Sequence, residues 1–70
     1  MTPKEKAQDL WVRYYELIDD NYSNEAAKKM AKEYAQIAVD EIIDAIKHED
    51  NRMYYEIKYW EEVKQEIKNL

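Results

Sequence analysis

Seventy residues carrying 16 Asp and Glu, 11 Lys and Arg, a net charge of -5 and no cysteine leave room for one small domain, residues 1–70, without a disulfide, a thiolate nucleophile or a cysteine zinc site. The negative balance opposes a phosphate backbone and argues against general nucleic-acid binding. Unbroken apolar runs of two or three residues fall far short of the roughly 20 that cross a bilayer, and no charged-then-apolar stretch opens the chain, so it is expected to work in the cytoplasm without a membrane.

Glycine is absent, Pro3 is the only proline, and Ala, Glu, Lys and Ile abound, so an all-α fold is expected. Thr2-Pro3-Lys4-Glu5 reads as a capping box with proline at the first helical position. The apolar face Ala7, Leu10, Trp11, Tyr14, Leu17 and Ile18 then carries a first helix over 3–20. With no glycine, Asn21 and Asn24 are the residues most tolerant of left-handed backbone angles, and they bracket the expected turn.

Ser23 or Asn24 caps a second helix over 24–47, with Glu25 at the positive end of its dipole. Its apolar arc is wide. One stripe is Ala27, Met30, Ala31, Tyr34, Ala38, Ile42 and Ala45, and beside it runs Ala35, Val39, Ile43 and Ile46. Alanines at four-residue steps give way to bulkier Ile37, Val39, Ile42, Ile43 and Ile46, which predicts a central helix flanked on two sides. After His48-Glu49-Asp50-Asn51, with Asp50 or Asn51 as cap, a third helix is expected over 51–69 along the seam Met53, Ile57, Trp60, Val63, Ile67 and Leu70. The expected domain is a helical hairpin plus an N-terminal helix; one continuous helix from Asn24 to Leu70 is the alternative. Ordering so short a chain costs conformational entropy that a small core rarely exceeds by much, so a homo-oligomer is expected. The aromatic content, 13% and all Tyr or Trp, suits interfaces.

Chemistry has few footholds. Asp40, Glu41 and Asp44 could serve acid-base work or hold a hard cation, but di-metal bundles draw carboxylates and Glu-x-x-His pairs from several helices, and this chain has one histidine, His48. Thr2 and Ser23 sit at cap positions with no neighbouring histidine, and no Gly-rich phosphate loop exists. No catalytic residue, metal or cofactor is expected. Lys28, Lys29 and Lys32 have Glu25 and Glu33 four residues from Lys29 and read as a solvated face.

The aromatic third helix says more. Arg52, Tyr55 and Tyr59 fall on a stripe of their own, with Lys58 and Lys64 interleaved. Tyrosine faces and a guanidinium can stack on bases while lysines hold phosphates, as in a nucleotide pocket; the plainer reading packs the stripe on another helix or another copy. Trp11, Tyr15 and Tyr22 make a similar flanking stripe with the same two readings.

Through Ala35-Gln36-Ile37-Ala38-Val39-Asp40-Glu41-Ile42-Ile43 and Tyr59-Trp60-Glu61-Glu62-Val63-Lys64-Gln65-Glu66-Ile67, with the opening Met1-Thr2-Pro3-Lys4-Glu5-Lys6-Ala7, the chain resembles small helical proteins of Bacteroidetes-type phages and prophages. The resemblance implies a phage accessory protein inside a bacterial host and supplies no site residues. Two non-enzymatic functions then compete, of which the sponge is the expected one and the inhibitor the alternative. A counter-defence sponge would sequester a signalling nucleotide with Arg13, Arg52, Tyr55, Lys58, Tyr59 and Lys64 converging in an assembly. An inhibitor would bind a host defence protein through an exposed acidic or aromatic surface such as Asp40, Asp44 or Tyr55. A purely structural helical oligomer is the third possibility.

Overall fold

The computed structural model describes residues 1–49 and 53–70, and among these every regular element is an α-helix: α1 at Pro3–Leu17, α2 at Asn24–Glu49 and α3 at Tyr54–Lys68. The capping box forms: the Glu5 N–H donates to Thr2 Oγ1 at 3.2 Å and the Thr2 N–H donates to the Glu5 carboxylate at 3.1 Å. Pro3 opens the helix where an N–H would have had no intrahelical partner.

α1 stops at Leu17 rather than Asp20. Ile18 takes extended backbone (φ -81°, ψ 137°) and its N–H reaches the Tyr15 carbonyl at 3.2 Å. Its side chain is half-buried, while Leu17, expected on the apolar face, is 80% exposed. Asp19 makes the turn: its carboxylate accepts from the Asn21 N–H at 2.9 Å, and its carbonyl accepts from the Tyr22 N–H at 3.2 Å. Among the described residues none has a positive φ, so the chain reverses without a left-handed asparagine at 21 or 24. Ser23 Oγ then accepts from the Ala26 N–H at 3.2 Å and caps α2.

α2 continues to Glu49, past the expected Lys47, and α3 begins at Tyr54 rather than 51. Met53 precedes it with non-helical backbone (φ -85°, ψ 50°) and no side-chain cap. The caps expected at Asp50 and Asn51 fall outside the described residues. The continuous helix does not form. Asp40 lies nine residues before the end of α2 and Lys64 ten after the start of α3, yet their charged groups are 2.6 Å apart, so α3 folds back antiparallel on α2. α1 is antiparallel to α2 as well: Trp11 Nε1 donates to the Lys28 carbonyl at 3.2 Å, and one turn onward the Tyr15 hydroxyl meets Asn24 Oδ1 at 3.4 Å. α1 and α3 therefore run parallel, and the Tyr59 hydroxyl, donating to the Met1 carbonyl at 3.0 Å, ties the second turn of α3 to the residues just before α1.

One cluster holds the helices together: Ala7 of α1, Ala35, Val39 and Ile43 of α2, and Val63 and Ile67 of α3. On α2 the buried residues recur at every fourth position, Ala27, Ala31, Ala35, Val39 and Ile43, as one face of a helix requires. The expected taper is present, small where α1 alone flanks α2 and larger where α3 joins it. Several residues expected in the core lie at its margin. Trp60 and Ile42 are half-buried, Leu70, Tyr34 and Ala45 are exposed, and Ile37 is 56% exposed. Trp60 packs against the cluster from its margin, edge-on to Tyr59 with ring centroids 5.4 Å apart.

Candidate functional site

The six residues that could build a nucleotide pocket do not converge within one chain. Tyr59 lies level with Met1, whereas Arg13 sits twelve residues further along α1, about 18 Å at 1.5 Å per residue. Tyr55 lies a turn beyond Tyr59 in the opposite direction, 81% exposed and edge-on to Tyr54 at 5.7 Å. Arg52 is outside the described residues.

Three of the polar groups are already engaged. Arg13 Nε pairs with Asp9 at 3.2 Å, Lys64 Nζ pairs with Asp40, and the Tyr59 hydroxyl is committed to Met1. Lys58 is exposed. The second aromatic stripe serves packing: Trp11 stacks on Tyr15 at 5.1 Å and 19° while both reach α2 through hydrogen bonds, leaving Tyr22 exposed at the turn.

A cleft of about 180 Å³ opens beside that turn, walled by Tyr15, Tyr22, Glu16, Asp19 and Asp20. It is smaller than the roughly 300 Å³ at which small-molecule sites begin, and its three carboxylates would repel a phosphate. Asp40, Glu41 and Asp44 are exposed along α2, and among the described residues no three metal-ligating side chains gather at one point. Hydrogen bonds from Thr2, its backbone N–H foremost, hold the Glu5 carboxyl below its ordinary value; this is a helix cap and does not line that cleft. No helix among the described residues is long and apolar enough to cross a membrane.

The surface offers more than the interior. Tyr54 and Tyr55 project from the start of α3, and the outward face of α2 presents Tyr34 and Ile37 among carboxylates. Reasoning from the sequence missed the second of these. It placed Tyr34 in a core stripe and counted Ile37 with the bulky contact residues, yet Ile37 lies about 160° around the helix from Ala35, a separation legible in the spacing. No family model matches the chain, and no curated protein or solved structure matches it.

Proposed function

We propose that this is a non-enzymatic accessory protein that binds another protein through its surface, in the phage setting implied by the resemblance, where it blocks a host defence component. The observation that carries this reading is the contrast between an undersized, acidic cleft and large side chains held in water, Tyr55 and Ile37 above all. The sponge reading needs a pocket built between copies, because within one chain Arg13 and Lys64 already face carboxylates. Two measurements test the proposal. Calorimetry against cyclic and linear signalling nucleotides is expected to give no binding heat, and a tagged chain is expected to retain a host protein at fixed stoichiometry. Reversible nucleotide binding without a protein partner overturns it in favour of the sponge, and a chemically altered nucleotide overturns every non-enzymatic reading.

Self-association is a second, compatible reading. The accessible surface is 5299 Å², against about 4,700 Å² for a monomer of this mass, and the radius of gyration is 13.1 Å, against about 11 Å for 70 compact residues. Light scattering at micromolar concentration is expected to show more than one chain per particle; a monomer of 8.6 kDa would remove this reading.

A further inference from the structure

α1 and α3 both pack on the Ala27–Ile43 side of α2 and leave its opposite side in water. The limits of that free side are marked by contacts. Tyr34 meets Tyr14 of α1, with ring centroids 6.3 Å apart, and Asp40 pairs with Lys64 of α3. Ile37 lies midway between them, about 60° around the helix from each. Met30, Tyr34 and Ile37, at steps of four and three, form a short apolar ridge that rises from half-buried to exposed.

Carboxylates line this ridge, with Lys29 one turn before Glu33 and with Lys47 and His48 one turn past Asp44. Glu33 and Glu41 stand one turn to either side of Ile37 and Asp44 two turns beyond it, all exposed, while the nearest α2 lysines, Lys29 and Lys47, lie about 80° away around the helix. Among the described residues none of these three carboxylates is ion-paired. Glu41 and Asp44 are close enough to repel, so the arrangement disfavours the isolated helix and is relieved by a cation. A second copy seated symmetrically on this face does not supply that relief, because a two-fold axis at Ile37 sets Glu33 of one chain against Glu41 of the other. Nucleic acids and anionic membranes are repelled for the same reason.

We infer that the outward face of α2, centred on Ile37, is a docking surface for a basic amphipathic helix of a partner protein, an inference that rests on the protein-binding reading above. Apolar residues at helical spacing on the partner cover Tyr34 and Ile37, and flanking lysines or arginines meet Glu33, Glu41 and Asp44.

The probe is a fluorescent leucine–lysine peptide of about 18 residues, helical and amphipathic, compared with a scrambled peptide of identical composition. The amphipathic peptide is expected to bind and the scrambled one to bind far more weakly. Ile37→Glu decides the matter, because it adds negative charge: simple electrostatic attraction predicts tighter binding, whereas docking predicts a loss of at least about tenfold. Ile37→Ala, which keeps the helix and adds no charge, is expected to weaken binding in the same direction. Glu41→Gln and Asp44→Asn are expected to weaken binding and flatten its salt dependence, and Leu17→Ala, an exposed residue at the far end of α1, to leave it unchanged. Equal binding of both peptides, unchanged or tighter binding by Ile37→Glu, or conversion of a homodimer to monomers by that substitution overturns the assignment. A host protein retained equally by the wild type and Ile37→Glu overturns only this surface and leaves the protein-binding reading standing.

Discussion

The Lys64 ammonium lies 2.6 Å from the Asp40 carboxylate and joins the middle of α3 to the middle of α2 across the edge of the core. Both side chains are partly exposed, at 32% and 50%, so water screens the pair and its contribution is at most about 1 kcal/mol. Lys64→Met is therefore expected to lower stability by less than about 1 kcal/mol in urea titrations, with the difference shrinking in concentrated salt. A larger, salt-independent loss would mean that the lysine stem, rather than its charge, seals the helix contact.

Ile67 is fully buried at the centre of the cluster that all three helices share. Ile67→Ala is expected to cost about 2–5 kcal/mol, a large part of the roughly 4–10 kcal/mol available to a domain of this length. Ile67→Val should cost about 0.5–1.5 kcal/mol. Ala35→Leu forces extra volume into a fully buried position of the core cluster and should destabilise by about 1–3 kcal/mol or more. Tyr55→Ala serves as the surface control, within about 0.5 kcal/mol of wild type. Denaturant midpoints for the four variants check the order.

At the start of α1, removing the capping hydroxyl in Thr2→Ala is expected to cost about 1 kcal/mol. The reciprocal partner, Glu5, adds a pH dependence. Its carboxyl is held below the ordinary value in the folded chain, so the charged form is favoured by folding. Its contribution is present above the ordinary glutamate pKa and is lost as the pH falls through the lower folded value. Glu5→Gln should therefore flatten that acid limb, read by circular dichroism in melts across acidic pH.

The α1–α2 turn separates two accounts of how a chain without glycine reverses. Asp19→Ala removes a side-chain acceptor from the Asn21 N–H and should cost about 0.5–1.5 kcal/mol. Asn21→Gly should bring no gain, because no described residue has a positive φ for glycine to relieve. Thermal melts of both variants read the difference; stabilisation by Asn21→Gly would place that residue in the left-handed region.

The local signals were legible and the long-range ones were not. Thr2, Pro3 and Glu5 announce their cap because all three groups act within one turn, and Ala27, Ala31 and Ala35 announce a close helix contact by spacing. The end of α1 was hidden because apolar periodicity runs on through Leu17 and Ile18, while the hydrogen bonds of Asp19 stop the helix. Asp40 with Lys64, and Met1 with Tyr59, join residues far apart in the chain, so no pattern along the sequence could pair them. For the candidate site the same limit holds. Which charges surround Ile37 can be counted from the sequence, but that no other described residue buries it depends on where α1 and α3 settle.

α2 has 26 residues while α1 and α3 have 15 each; α1 is tied to the Asn24 end of α2 through Tyr15, α3 to its later half through Lys64 and Asp40, and both reach the central cluster at Ala35, Val39 and Ile43. Backbone amides in that stretch are held by two neighbours and exchange with solvent only when the whole domain opens. Those near Asn24 or Glu49 are held by one, so detaching α1 or α3 alone frees them. Hydrogen exchange along α2 thus grades from slow at its centre to fast at both ends, and either short helix can detach while the centre keeps its other partner.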